Sequence, residues 1–117
     1  MKGPLTRETA PRNVWAEGCE AWTFVDTDTL SVKLERMQPG TTEMRHRHSR
    51  AQQFFYILAG EARFEVGHET IFVSAGQGLH IKAGEPHLVA NEGHDVLEFI
   101  LSSEPATTND RINEHEQ

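Results

Sequence analysis

Glycine and proline interrupt the middle of this chain at short intervals, and no helical period persists for three turns. The runs between them span four to eight residues rich in Val, Ile, Leu, Phe and Thr. Short runs separated by tight turns are typical of an antiparallel sandwich or barrel, so we predict an all-β fold. The interrupting positions are Pro39, Gly40, Gly60, Gly67, Gly76, Gly78, Gly84, Pro86 and Gly93.

The predicted strands follow this punctuation, and segment 30–37 alternates apolar and polar residues as a strand with one buried face does. A length of 117 residues suits one domain. We predict a flexible N-terminal segment at 1–12, a barrel at 13–103 and a polar, disordered tail at 104–117. The predicted strands are 22–25, 30–37, 41–48, 53–58, 61–66, 69–74, 78–81, 87–90 and 96–102.

Composition excludes two classes of partner. The net charge is −7 and the cations are scattered, so the basic patch that nucleic-acid binding needs is missing. No apolar run approaches the roughly 20 residues that span a bilayer, so we expect no membrane partner. The single cysteine, Cys19, rules out an intrachain disulfide and favours a cytoplasmic location.

A group of histidines suggests a metal site. His46 and His48 are two residues apart, so on a strand both side chains share one face. Gln53 follows after a polar connection, and His87 begins another predicted strand. Imidazole nitrogens are common ligands of Zn, Fe, Ni and Cu, and an amide oxygen can serve as a fourth. Taken alone, the His-x-His pair also fits two histidines on a solvated strand.

The wider spacing resembles the cupin superfamily, whose first motif is Gly, five residues, His-x-His, three or four residues, Glu, six residues and Gly. The matching positions here are Gly40, His46, His48, Gln53 and Gly60. The second motif is matched by Gly76, Lys82, Gly84, His87 and Asn91, with Lys82 where the motif has proline. Both motifs occur in order within residues 40–91, which makes the resemblance specific.

The resemblance implies an antiparallel double-stranded β-helix, the jelly-roll barrel of RmlC-like monocupins. It also implies one divalent metal ion (Zn, Mn, Fe or Ni) held by His46, His48, Gln53 and His87, and a homodimer. Gln53 departs from the glutamate of many catalytic cupins and leaves the site one charge unit more positive. That charge makes the metal a stronger Lewis acid. Alternatively, Gln53 is structural and water completes the metal shell.

Further side chains are candidates to line a substrate pocket. Arg63 and Lys33 could hold a carboxylate, although a solvated strand face also suits them. The aromatic candidates could equally be core residues, and Glu98 is the one candidate for an inward carboxylate on the final predicted strand. The substrate-pocket candidates are Trp22, Met44, Phe55, Arg63 and Phe99.

These features predict a metal-binding monocupin that acts on a small organic metabolite, a sugar or an organic acid. The expected chemistry is Lewis-acid isomerisation, lyase chemistry or ring opening. The ligand pattern is similar to that of single-domain cupins that open unsaturated uronate sugars, which also carry an acidic residue on the final strand. One alternative is a metal-dependent dioxygenase, and another is a non-catalytic module that binds or senses a small molecule. The catalytic residues stay open.

Overall fold

The computed structural model describes residues 3–114, which fold into two antiparallel sheets. The first sheet has the order β1-β2-β3-β10-β5-β8 and the second the order β11-β4-β9-β6-β7. This arrangement is an antiparallel double-stranded β-helix, so the predicted fold class is confirmed. The strands are β1 (Arg12–Trp15), β2 (Cys19–Asp26), β3 (Ser31–Met37), β4 (His46–His48), β5 (Gln52–Ala59), β6 (Glu61–Val66), β7 (Glu69–Ser74), β8 (Gly78–Ile81), β9 (His87–Ala90), β10 (Leu97–Glu104) and β11 (Arg111–Asn113).

The inward faces of the two sheets meet in an apolar core. Phe64 and Phe99 are fully buried, and Phe55 contacts both rings at centroid distances of 4.9 and 5.4 Å. Burying a side chain of this size contributes roughly 1.5–3 kcal/mol. At the β5–β6 turn, Gly60 has a φ of 82°. A Cβ at this position would lie 2.8 Å from the Val96 carbonyl oxygen, so the turn requires glycine.

The chain before the histidine strand departs from the predicted 41–48 strand. Only β4 forms there, and Thr42 makes an isolated bridge with Ala90. At Glu43 the pairing is irregular: its backbone N–H donates to the Val89 carbonyl oxygen at 3.1 Å, and its carboxylate accepts from the Val89 backbone N–H at 3.2 Å. The Glu43 carboxylate thus accepts a hydrogen bond that a backbone carbonyl would accept in a regular strand pair. The regular strand begins only at His46.

Residues 104–114 are ordered into structure where the sequence predicts a disordered tail. Strand β11 pairs with β4, and Asp110 is 2% exposed. Its carboxylate accepts hydrogen bonds from Ser49 Oγ and Ala51 N at 2.7 and 2.9 Å. The polar composition of residues 104–114 therefore does not show that this segment contacts the turn at 49–51. Residues 115–117 lie outside the described residues.

The N-terminal end also adds a strand that the sequence pattern does not predict. Strand β1 pairs with β2. Residues 3–11, within the predicted flexible segment 1–12, form turns and irregular structure. Residues 1 and 2 lie outside the described residues, and the predicted domain boundaries stay a prediction. Between residues 3 and 114, no helix is long and apolar enough to cross a bilayer.

Candidate metal centre

Two strands of the second sheet bring three histidines together. His46 and His48 lie on β4, whose alternation turns both side chains inward, and His46 pairs in register with His87 of β9. The three residues, which we call the histidine trio, are 3%, 5% and 1% exposed. One ligand nitrogen from each ring lies within 4.8 Å of the others. The trio could therefore hold a metal ion.

Backbone carbonyls orient two of the rings. His46 Nδ1 donates to the Met44 carbonyl oxygen at 2.8 Å, and His87 Nδ1 donates to the Glu85 carbonyl oxygen at 2.9 Å. A neutral imidazole that donates through Nδ1 keeps a lone pair on Nε2, which is the form that binds metal.

Burial keeps the histidine rings neutral. Burial lowers the pKa of His46 to about 3 and that of His48 to about 4, and it lowers the pKa of His87 as well. The positive charge that neighbouring histidines would acquire lowers the pKa of His46 and His48 further. Because metal ligands must be deprotonated, no proton competes strongly for these nitrogens near neutral pH.

Gln53 lies against the trio. Its amide nitrogen donates to Ser103 Oγ at 3.0 Å, and its amide oxygen is 3.1 Å from His87 Nε2. Since His87 already donates through Nδ1, its Nε2 is an acceptor, and two acceptors face each other. A cation bound between them satisfies both, and His48 Nδ1 is a buried nitrogen without a hydrogen-bond partner in the described chain. These donors fit a divalent metal ion.

The site opens into a cavity of about 510 Å³, within the range of small-ligand sites. His46, His48 and Gln53 line its wall, whereas His87 lies behind them. Four charged side chains also line the cavity: Lys33, Glu35, Glu43 and Arg111.

Two carboxyl groups in this cavity have raised pKa values. Burial raises the pKa of Glu43 to about 8, helped by the negative charge of Glu35, and it raises the pKa of Glu35 to about 7. Lys33 and Arg111 oppose the rise at Glu35. One Glu43 oxygen is 3.9 Å from His46 Nδ1. Both carboxyl groups can therefore carry a proton near neutral pH.

Sequence reasoning missed Glu35 because of how β3 is covered. The alternation in 30–37 predicts that Leu34 is buried, and its side chain is 8% exposed. Leu34 lies, however, on the face of β3 opposite the cavity. Trp22 pairs with it there, beneath the Arg7 guanidinium, whose carbon lies 5.6 Å from the Trp22 ring centroid. Both faces of β3 are thus covered, and the polar face is the one that reaches the site.

The pocket candidates from the sequence separate into two groups. Met44 and Phe55 line the cavity. Trp22 lies on the opposite face of its sheet, Phe99 is in the core, and Arg63 pairs with Glu65 and Glu92 at 2.6 and 2.8 Å, so none of these three lines it.

The proposed inward carboxylate of the final strand is also placed elsewhere. Glu98 pairs with Arg7 and Arg36 at 3.3 and 3.0 Å. It therefore forms ion pairs with two arginines and does not line the cavity.

The turn between β4 and β5, which carry His48 and Gln53, is fixed by the C-terminal segment. Ser49, Arg50 and Ala51 join β4 to β5, and all three donate hydrogen bonds to Asp110. Burial alone would raise the pKa of Asp110, but these hydrogen bonds outweigh it and hold the pKa at about 2. The spacing of His48 and Gln53 thus depends on a side chain far along the chain.

Residues 33–103 match the family model for the cupin domain. The oxalate-binding protein of Thermotoga maritima is 31% identical over 65 residues, which cover 56% of this chain and 54% of that protein. The match therefore spans about half the length of this relative.

Solved structures show the same fold. An RmlC-like cupin from Shewanella frigidimarina superposes with a TM-score of 0.82 at 16% identity, covering 93% of this chain and 96% of that one. KdgF from Halomonas sp. gives 0.74 at 19% identity, with 85% and 91% covered. At these identities, the similarity concerns the fold alone.

Proposed function

We propose that this chain, which belongs to the cupin domain family, binds one divalent metal ion and acts on a small organic acid or sugar. The proposed chemistry is isomerisation, lyase chemistry or ring opening. One observation carries the proposal: three neutral histidine nitrogens lie within 4.8 Å of one another beside a cavity sized for a small metabolite.

The proposed metal ligands are His46, His48, Gln53 and His87. The facing acceptors of Gln53 and His87 support an amide ligand, and Ser103 keeps the amide nitrogen turned away from the site. Neutral histidines and an amide leave the full positive charge of the ion uncompensated by the ligands. Zn, Mn, Fe and Ni are all compatible with such donors.

A divalent metal bound to these residues would polarise a substrate carbonyl as a Lewis acid. The chain itself supplies proton-carrying groups, because Glu35 and Glu43 line the same cavity. A carboxyl group that is protonated near neutral pH can donate a proton and then accept one. Isomerisation and lyase reactions need such transfers, so these residues are our candidates for moving protons.

A second candidate function is binding without turnover. It is favoured by the name of the Thermotoga maritima relative, an oxalate-binding protein. In that case the cavity would hold a small acid and Glu35 and Glu43 would only hydrogen-bond to it.

The first test is the metal content of the purified protein by elemental analysis. We expect about one metal ion per chain in the wild type and a loss of metal in the His46→Ala/His48→Ala variant. A matched control replaces two exposed histidines, His68→Ala/His94→Ala, and should keep the metal. A wild type that stays metal-free after addition of Zn, Mn, Ni and Fe(II) would overturn the metal proposal.

Turnover separates the two functions. The metal-loaded protein would be incubated with a panel of small keto acids, hydroxy acids and uronates, and each mixture followed by NMR. New product signals that disappear in the His46→Ala/His48→Ala variant support the enzyme, whereas saturable shifts without product support the binding module. Oxygen uptake during turnover would instead support the dioxygenase alternative.

Homodimer formation and a cytoplasmic location stay predictions. Val14 is an apolar side chain, 52% exposed, on the edge strand β1, where a second copy could pair. Sedimentation of the wild type and a Val14→Asp variant would test this pairing.

A further inference from the structure

Among residues 3–114, two cations that line the cavity, Lys33 and Arg111, have no carboxylate oxygen within 4.0 Å. Within residues 3–114, every arginine except Arg111 has a carboxylate oxygen within 4.0 Å. Lys33 also makes no ion pair in this part of the chain. Lys82, the other described lysine, is exposed on a turn, whereas Lys33 and Arg111 both line the cavity. In a chain of net charge −7, two uncompensated cations beside one site are a specific feature.

The two cations come from opposite sheets. Lys33 is half-buried on β3, and Arg111 is exposed at the cavity rim on β11, in register with His48. The Arg111 guanidinium donates to Asn113 Oδ1 at 2.7 Å and to the Met44 carbonyl oxygen at 3.3 Å. Both acceptors are neutral, so they orient the guanidinium without cancelling its charge.

The acidic residues of the cavity leave this charge largely in place. Neither Glu35 nor Glu43 lies within 4.0 Å of the two cations. Lys33 and Arg111 line the same cavity as His46 and His48, so their positive potential reaches the space beside the histidine trio.

We propose that the cavity binds a small carboxylate whose anionic group lies between Lys33 and Arg111 while its other end faces the histidine trio. Arginine and lysine bind carboxylates through charge-assisted hydrogen bonds, and a cavity of about 510 Å³ admits a small organic acid. This inference deepens the proposed function, on which it rests for the role of the ligand, by selecting organic acids over neutral sugars.

The test is calorimetric titration of the zinc-treated protein with malonate and with malonamide, its neutral analogue of similar shape. Wild type should bind malonate at least about tenfold more tightly than malonamide. Lys33→Met and Arg111→Gln should each weaken malonate binding about ten- to a hundredfold and leave malonamide binding unchanged. The controls Lys82→Met and Arg47→Gln remove cations that do not line the cavity and should leave malonate binding unchanged.

Three results would overturn the inference. Wild type could fail to bind malonate, oxalate and glycolate, the two cavity variants could keep wild-type affinity, or they could lose malonamide binding equally. Where a variant melts at a lower temperature, Lys33→Arg and Arg111→Lys take its place and should retain most of the malonate affinity.

The titration is repeated on protein treated with EDTA and on the His46→Ala/His48→Ala variant. Weaker malonate binding that still depends on Lys33 and Arg111 is expected there. A failure of the metal proposal would thus leave the carboxylate proposal standing, because the effect of the cations is measured without metal. Loss of that dependence in the metal-free protein would overturn the carboxylate inference alone.

Discussion

The same strands build two regions of opposite character. Along β5, Gln53 and Phe55 face the cavity, whereas Ile57 is fully buried in the apolar core. Along β3, Lys33 and Glu35 face the cavity, and Met37 lies in the core. One end of the fold is closed by apolar packing, and the other is left open and charged. The closed end can therefore supply stability while the open end holds groups that are costly to bury.

The largest expected effect is on the closed end. Phe64→Ala should lower the free energy of unfolding by about 3–5 kcal/mol, because it removes a fully buried ring and leaves a cavity. Urea denaturation measures this change. Phe72→Ala, at a 58% exposed position on the neighbouring strand, is the control and should change stability by less than about 0.5 kcal/mol. Equal effects would show that the core does not dominate stability.

Asp110→Asn should affect both regions, because Asp110 fixes the turn between His48 and Gln53. The loss of charge-assisted hydrogen bonds should cost about 1–3 kcal/mol of unfolding free energy and weaken zinc binding. Denaturation and competition with a zinc chelator measure the two effects. Asp26→Asn, at an exposed position, should change neither. Unchanged zinc affinity in Asp110→Asn would show that zinc binding does not depend on the turn that Asp110 fixes.

Asp110 and Glu35 should give pH dependences of stability with opposite signs in metal-free protein. The pKa of Asp110 is lowered from 3.8 to about 2, so its stabilisation is present above about pH 4 and is lost as the pH falls toward 2. The pKa of Glu35 is raised from 4.5 to about 7, so the folded state binds the extra proton. Its contribution is therefore lost as the pH rises from about 4.5 through 7.

Denaturation of metal-free Glu35→Gln and Asp110→Asn across this range checks the assignment. Glu35→Gln should flatten the loss of stability on the alkaline side, and Asp110→Asn should flatten it on the acid side. If Glu35→Gln flattened the acid side and Asp110→Asn the alkaline side, the assigned directions of the two pKa shifts would be wrong.

The smallest expected effect is that of Ser103→Ala. The hydroxyl accepts one hydrogen bond from the Gln53 amide, so its loss should cost about 1 kcal/mol of stability or less. Zinc affinity should fall about tenfold, because the amide is no longer held in one orientation. Ser103→Thr, which keeps the hydroxyl, is the matched control. Wild-type affinity in Ser103→Ala would argue against Gln53 as a ligand.

Local patterns in the sequence predict the fold and the histidine trio well. A period of two places His46 and His48 on one face, and the motif spacing brings His87 to the same site. Turn glycines such as Gly60, which has a φ of 82°, mark the places where a tight turn needs a positive φ. These features depend on neighbours along the chain or on two motifs of fixed spacing.

The charged part of the cavity could not be predicted in this way. Alternation in β3 does not reveal that both of its faces are covered, so Glu35 looks solvated. The sequence names Lys33 as a candidate to hold a carboxylate but cannot distinguish that role from a solvated position. Asp110 and Arg111 lie in a polar segment whose partners, including Ser49 and Met44, are 61 and 67 residues away. Such contacts follow from the tertiary arrangement and leave no local periodic signal.

The pairing of β11 with β4 also determines the order in which parts of the fold can form during synthesis. During synthesis, the histidine strand leaves the ribosome long before its partner, because Ser49 precedes Asp110 by 61 residues. Until β11 emerges, the strand that carries His46 and His48 has one bare edge, and the turn that leads to Gln53 lacks its carboxylate. The candidate metal centre is thus among the last parts of the described chain to form, after the strands of the core have already been made.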